Sequence, residues 1–396
     1  MPRRTPEIPI SPAVLEWARE TAGFTHDEVS HHLGVAREQV EGWEKEAGQV
    51  YLRVRQLEDL AHYYKRPLAA LLLTERPDEP KPPQDFRRPL QRDKPFSHSL
   101  RLAIRRAKRL QRVAREMMEA MELSPVSDIP QVNLQQQPEI VAKAQRKAFG
   151  ITTKEQLGWR NSGHAFRCWR EVLEARSVLV FQSDFPREEA QGFSLSDDHP
   201  YAIMVSSADF LTARCFTLFH ELAHLLLRQG GVCITEVPYS QISNNLAKTE
   251  NWCHRFAEAF LIDEEVLRDR DETQAVIRSE PGYEEALKRL AFSFKVSQAV
   301  VLFRFWHSEL ISEGRFSTEY AKLQRVAQIE AEQIKKKRHG KGWPSPAQQV
   351  VQERGRLLPR LVLEALDRQM LGYTEAVDYL GVRLKHLDKI RQEAYG

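Results

Sequence analysis

The sequence has few cysteines, no long apolar run and almost no net charge. Its four cysteines, Cys168, Cys215, Cys233 and Cys253, form no Cys-x-x-Cys pair, which argues against a disulfide framework and favours a reducing compartment. Apolar runs such as 68–73 are far below the ~18 residues that a membrane span needs, and the first residues show no signal-peptide core. A net charge of +3 does not by itself indicate nucleic acid or a membrane as partner. We therefore expect a cytoplasmic protein with no membrane partner.

The length and the spacing of apolar residues indicate several domains. A chain of 396 residues suggests two or three domains at roughly 150 residues each, and 42% hydrophobic residues are enough for real cores. Helical apolar spacing, proline clusters and basic runs divide the chain into five predicted parts. These parts are an N-terminal all-α domain at 11–73, a proline-rich linker at 74–98, a basic helical connector at 99–137, a main domain at 138–330 and a helical tail at 347–396.

The main domain combines helices with two β-rich runs. The runs lie at 177–182 and 201–207, ahead of two apolar helices predicted at 209–228 and 250–262. This order predicts an α+β domain with a small sheet. We also hypothesise that the strand at 201–207 pairs with an extended substrate by strand addition.

The first apolar helix carries the sequence His-Glu-Leu-Ala-His, an H-E-x-x-H motif formed by His220, Glu221 and His224. Residues four apart on a helix project side by side, so the two imidazoles can share one metal ion. Glu221 lies beside that pair, where a general base for water activation belongs. The surrounding residues are apolar, so the helix is expected to be buried. A bound metal would offset the free-energy cost of burying the two histidines and the glutamate.

A catalytic zinc usually has three protein ligands, and the second apolar helix offers the third. Glu250 lies one turn before Cys253 on the stripe that continues through Phe256, which is the stripe predicted to be buried. His254 and Glu258 lie off that stripe and are kept as alternative ligands. The predicted metal ligands are therefore His220, His224 and Glu250.

These motifs resemble the ImmA/IrrE zinc metallopeptidases over roughly 140–310. In 192–227 a strand ending near a serine is followed by an arginine, a phenylalanine-threonine pair and the H-E-x-x-H helix. The later helix has the form E-x-x-(Ala/Cys)-x-x-Phe-Ala, with Glu250, Cys253 and Phe256 at its first three named positions.

The resemblance implies a gluzincin-like peptidase that contains zinc and cleaves repressor proteins. His220, His224 and Glu250 would then be zinc ligands, and Glu221 would be the catalytic base acting on zinc-activated water. The group that stabilises the oxyanion is not identified by the sequence. The candidates for it are His164, Tyr201 and Tyr239.

In the N-terminal part, the spacing of apolar residues over 23–44 is typical of a helix-turn-helix, with Gly34 at the turn. It is similar to the XRE repressor-like family, which implies binding of double-stranded DNA. In such motifs the front of the second helix reads bases, and here Arg37 and Gln39 are the candidate base-contacting residues. Two carboxylates on the same stretch would repel the phosphates of DNA. The module is therefore predicted either to bind DNA or to dock on a protein.

The tail repeats this pattern more weakly. Residues 372–390 have the Gly-aromatic-Thr start and the Leu-Gly-Val turn found in 23–35. The segment is either a helical cap on the main domain or a second, basic helix-turn-helix-like unit.

Taken together, the motifs predict a zinc-dependent metallo-endopeptidase fused to a repressor-like DNA-binding module. The predicted partner is a specific regulatory protein of repressor or antitoxin-like type, with double-stranded DNA as a second partner, and a homo-oligomer is compatible with the sequence. The alternatives are a non-proteolytic DNA-binding regulator and a toxin-antitoxin or phage-defence component that uses the peptidase fold as a sensor.

Overall fold

The chain folds into two compact units in a computed structural model. The first unit comprises the described residues of 1–82 and 89–106, and the second comprises those of 83–88 and 107–396. The structure describes residues 6–45, 48–78, 84–85, 95–233, 245–337 and 344–396. None of the helices in these ranges has the length and apolarity that a bilayer span requires.

The first unit is mainly helical. Its elements are strand β1 (Glu7–Ile10), helices α1 (Pro12–Ala22), α2 (His26–Leu33) and α3 (Arg37–Lys45), strand β2 (Val50–Arg53), helices α4 (Val54–Tyr63) and α5 (Leu68–Leu71), and the start of α6 (His98–Ala120), which continues into the second unit. The α2 helix begins with a reciprocal cap, in which the Thr25 hydroxyl accepts from the Glu28 amide and the Glu28 carboxylate accepts from the Thr25 amide. Gly34 ends α2 with a φ of 65°, a conformation that suits glycine at the turn before α3.

The expectation of an all-α N-terminal domain is wrong, because β1 and β2 form a two-stranded antiparallel sheet. In β2 the buried Val50 and Leu52 alternate with exposed Tyr51 and Arg53. An alternation of only four residues is too short to distinguish a strand from a loop in the sequence.

The second unit contains helices around one mixed sheet, which confirms the predicted α+β class and the helical C-terminus. The helices before the tail are α7 (Pro138–Phe149), α8 (Thr153–Gly158), α9 (Ser162–Glu174), α10 (Leu211–Leu226), α11 (Asn245–Leu261), α12 (Glu264–Arg268), α13 (Asp271–Arg278), α14 (Tyr283–Phe294), α15 (Gln298–His307) and α16 (Glu313–Lys337). The tail contains α17 (Pro346–Arg354), α18 (Leu357–Asp367), α19 (Tyr373–Leu380), a 3₁₀ turn (Leu384–His386) and α20 (Leu387–Tyr395).

The sheet of the second unit has the order β3-β7-β5-β6-β4. Its strands are β3 (Gln84–Asp85), β4 (Leu179–Ser183), β5 (Gly192–Leu195), β6 (Ala202–Ser206) and β7 (Gly231–Cys233). The β5 strand runs antiparallel to both β6 and β7, whereas β4 is parallel to β6 and β3 is parallel to β7. Because β6 is paired on both sides, the hypothesis that this strand accepts an extended substrate is wrong.

The tail is joined to the second unit through two buried charged side chains of α9. The Arg170 guanidinium donates to the carbonyls of Val351 and Gln352 at 3.0 and 2.8 Å. The Glu174 carboxylate accepts from the backbone N–H groups of Arg356 and Leu357, at the start of α18. A carboxylate at a helix N-terminus satisfies amide groups that have no intrahelical partner, so Glu174 anchors the tail.

We expect Glu174→Ala to lower the free energy of unfolding of the second unit by about 3–5 kcal/mol. The substitution leaves Arg170 without its buried partner, 3.4 Å away, and leaves the amides of α18 unsatisfied. The measurement is urea unfolding followed by circular dichroism.

Glu171→Ala is the matched control, because Glu171 lies on the same helix and pairs with Arg356 at 3.0 Å but is 48% exposed. It should change the free energy of unfolding by less than about 1 kcal/mol. Equal effects of the two substitutions would contradict the anchoring role of Glu174.

Candidate metal centre

The H-E-x-x-H motif lies in the interior of the second unit, on helix α10. All residues from 215 to 226 are buried, so this part of the helix is enclosed on every side. His220, Glu221 and His224 are each 0% exposed. A helix that is apolar around most of its circumference is stable only when it is covered in this way, which agrees with the burial expected from its sequence.

Four donor side chains meet around this motif. One ligand atom from each of His220, His224, Cys233 and Glu250 lies within 4.8 Å of all the others, and all four residues are buried. The Nε2 atom of His224 is 3.3 Å from Nε2 of His220, 3.2 Å from Oε1 of Glu250 and 3.2 Å from Sγ of Cys233. Helix α11 thus brings Glu250 to the two histidines, as the sequence predicted that it would.

The orientation of His224 is set by a backbone contact behind it. Its Nδ1 atom lies 3.0 Å from the carbonyl oxygen of Gln229. A carbonyl only accepts, so Nδ1 carries the proton, and the Nε2 lone pair faces the other donors. A histidine that ligates a metal uses this same arrangement, with the second nitrogen held by a carbonyl or carboxylate.

The donor set and its spacing fit a metal ion such as zinc. Zinc ligands at about 2.0–2.3 Å and tetrahedral angles lie about 3.3–3.5 Å from one another. Four of the donor pairs here, each of which includes His220 or His224, are separated by 3.2–3.3 Å, and all four donor atoms lie within 4.8 Å of one another. Burial also lowers the pKa of His220 to about 4, which keeps its imidazole neutral and able to ligate. Buried lone pairs at such distances repel one another unless protons or a cation lie between them.

Glu221 lies beside the donor group, in a space that a glycine provides. Neither of its carboxylate oxygens makes a hydrogen bond of good geometry with a described residue. Burial raises the pKa of Glu221 to about 7, although the nearby Ser194 and Cys233 side chains oppose this rise. A Cβ atom placed on Gly192 of β5 would lie 3.2 Å from Oε1 of Glu221 and 2.6 Å from Cγ2 of Thr217. A side chain at position 192 would therefore displace Glu221 or its helix.

Cys233 and Gly192 are site residues that the sequence did not reveal. Cys233 lies in β7, and a single cysteine in the apolar run Gly-Val-Cys resembles a core residue. The two positions face each other in the register of β5 and β7. A signal for either residue would have required knowledge of that strand pairing.

The two alternative ligands on α11 belong to a separate cluster. The Glu258 carboxylate contacts Nδ1 of His254 at 2.6 Å and Nδ1 of His307 at 2.8 Å. Burial opposes its ionisation, but His307 and His254 lower the pKa of Glu258 to about 2. The expectation that His254 and Glu258 lie off the buried face is wrong, because they are 3% and 0% exposed. The contacts of the Glu258 carboxylate with the two imidazoles offset the cost of that burial.

The other predicted site residues are not part of the donor group. Tyr201 is buried and stacks on His199, and His164 lies near the start of α9. Tyr239 falls outside the described residues. Arg37 and Gln39 lie on α3 of the first unit, where Gln39 is exposed.

A cavity of about 860 Å³ lies in the second unit, outside the donor group. Its walls include three consecutive glutamines, 135–137, together with Lys248 and Arg255. It is also lined by Gln229, whose carbonyl contacts His224. None of the four donor residues lines this cavity, so it is not the space in which the donor atoms meet.

Residues 173–305 match the family model Peptidase_M78, described as the IrrE N-terminal-like domain. The matched range contains the four donor residues and Glu221 and spans about a third of the chain. The match supports the resemblance to the ImmA/IrrE peptidases. No curated protein and no solved structure gives a significant match to the chain.

We expect Glu250→Gln to lower the affinity for zinc without unfolding the protein, because the substitution keeps the size of the side chain and removes an anionic donor. The loss should be at least about 10- to 100-fold, the range found when even an outer partner of a metal ligand is removed. Elemental analysis and competition with a chromophoric chelator measure it.

Glu258→Gln is the control, since it makes the same chemical change two turns along α11. It should retain the zinc content and affinity of the unsubstituted protein. Loss of zinc in Glu258→Gln together with retention in Glu250→Gln would contradict the assignment of Glu250 as a ligand.

Proposed function

We propose that the chain is a zinc-dependent endopeptidase that cleaves a specific regulatory protein, of repressor or antitoxin-like type. The observation that carries the proposal is the buried group of His220, His224 and Glu250 with the Glu221 carboxylate beside it. The match of 173–305 to a peptidase family model supports it.

In this proposal His220, His224 and Glu250 hold the zinc ion, and Glu221 performs the proton transfers. A bound zinc ion acidifies water and polarises a peptide carbonyl. The Glu221 carboxylate takes a proton from the attacking water and delivers it to the leaving amine of the cleaved peptide bond. The burial that raises its pKa makes Glu221 a stronger base than an exposed glutamate.

The burial of the donors supports a narrow substrate range. His220 and His224 are 0% exposed and Glu250 is 1% exposed, so a compact folded surface does not reach them. A substrate must present a flexible segment that enters the second unit. A peptidase with broad specificity would also damage the cell that contains it, which favours one or a few protein targets.

Glu221→Gln should abolish cleavage while zinc is retained. The loss of a general base lowers a rate by about 10²–10⁴-fold. Because the substrate is unidentified, the probe is a cytosolic extract incubated with the zinc-loaded protein, followed by mass spectrometry of newly formed protein N-termini. Kinetics are then measured on the protein that yields them.

The control is Glu265→Gln, the same change at an exposed glutamate that pairs with Lys143 on the surface. It should generate the same new N-termini as the unsubstituted protein. Identical N-termini from Glu221→Gln at equal zinc content would refute the proposed role of Glu221.

The second candidate function is DNA binding by the first unit, and the exposed Gln39 on α3 favours it. Arg37 is less available, because its guanidinium contacts Glu41 at 2.8 Å and Asp27 at 3.0 Å. These two carboxylates offset the charge that would attract phosphate. Gln39 is therefore the side chain best placed to contact a base edge.

If the first unit reads DNA, the full chain should enrich a duplex from a random pool, with binding that weakens as salt rises. Gln39→Ala should then weaken binding of that duplex by about 1–3 kcal/mol, the value of one good base contact. The control is Gln49→Ala, at an exposed glutamine outside the helices. No enriched duplex, or equal losses in both variants, would count against this candidate.

A further inference from the structure

The fourth donor, Cys233, has no role in the three-ligand peptidase site. We propose that Cys233 is a fourth protein ligand that closes the metal site in its resting state, so that cleavage requires the sulfur to leave. This inference rests on the proposed metal-dependent function and specifies how that function is controlled.

The position of the sulfur supports ligation. Sγ of Cys233 is 3.2 Å from Nε2 of His224, a separation comparable with the 3.2 Å between His224 and Glu250. Cys215 and Cys253 are equally buried, but the donor group contains only Cys233 among the described cysteines. The sulfur therefore occupies the place of a ligand and not merely that of a core side chain.

The backbone holds Cys233 in this place. The carbonyl of Cys233 accepts from the amide of Gln191 at 3.1 Å, next to the strand pairing of Gly192 with Cys233. The residue opposite is Gly192, whose missing side chain leaves room for Glu221. The pairing of Cys233 with Gly192 uses backbone atoms, so rotation about the Cα–Cβ bond of Cys233 moves the sulfur without breaking that pairing.

The number of protein ligands decides whether a zinc site has a free position for water. Structural zinc sites have four protein ligands, whereas catalytic sites keep one position for water. Thiolate is a soft donor that zinc binds well. When the Cys233 sulfur binds, its proton passes to solvent and no position remains for water beside Glu221. When the sulfur leaves, it regains a proton and water takes its place.

The test uses cobalt(II) as the probe, because a thiolate ligand gives cobalt a charge-transfer absorption in the near ultraviolet. One equivalent is added to the metal-free full chain and to the variants Cys233→Ser, Cys233→Ala and Cys253→Ala. We expect the absorption in the unsubstituted protein and in Cys253→Ala, and its loss in both Cys233 variants. Serine has nearly the same size as cysteine, so Cys233→Ser still gives a result if Cys233→Ala does not fold.

Two further readouts follow from the same proteins. The zinc dissociation constant of Cys233→Ser should rise by at least about 10- to 100-fold. At saturating zinc, the Cys233 variants should cleave the identified substrate several-fold faster than the unsubstituted protein, because the water position is open.

The outcomes separate this inference from the proposed function. Bound cobalt without the charge-transfer absorption, or an absorption that persists in Cys233→Ser, overturns the role of Cys233 and leaves the three-ligand peptidase intact. Equal cleavage rates at saturating zinc overturn the closing role. An unsubstituted protein that binds neither cobalt nor zinc overturns both proposals.

Discussion

Mutual repulsion among buried electron-rich atoms is the constraint on which the second unit depends. Two imidazole nitrogens, a carboxylate and a sulfur converge within 4.8 Å, in an interior where water does not screen them. Ordinary core packing offers no compensation for such a group, and a cation does. A cation bound by these donors would stabilise the folded state alone, so its binding and the folding of this unit would be thermodynamically linked.

The surrounding elements serve to hold the donors at fixed positions. Helix α10 supplies two donors one turn apart, and α11 packs against it and supplies a third, Glu250, 26 residues after His224. The sheet contributes space through Gly192 and a sulfur through Cys233. Sites carried by helices and strands keep their geometry better than sites on loops. The His254–Glu258–His307 cluster also supports the site, because the His254 ring packs against the His220 ring.

The parts of the site that follow from local periodicity were predictable, and those that follow from strand pairing were not. The spacing of four between His220 and His224 fixes a shared direction on any helix, and the stripe through Cys253 placed Glu250 on the correct face. The sequence contains no comparable rule for a three-residue strand, so Cys233 could not be predicted. Likewise, β1 and β2 are too short to show a period, and the burial of polar His254 and Glu258 depends on contacts of the Glu258 carboxylate with His254 and His307 that no sequence pattern shows.

The docking of the tail has a consequence for how the sheet meets other molecules. In the described part of the chain β4 is the last strand of the sheet, and an edge strand with free backbone groups is a template for pairing with another chain. Here Arg170 donates to the carbonyl of Val180 in β4, and the Gln182 side chain contacts the Gln352 carbonyl of α17. The tail therefore shields this edge from intermolecular β-pairing. A chain shortened before α17 would expose an edge strand that can pair with other chains, and it would therefore favour aggregation.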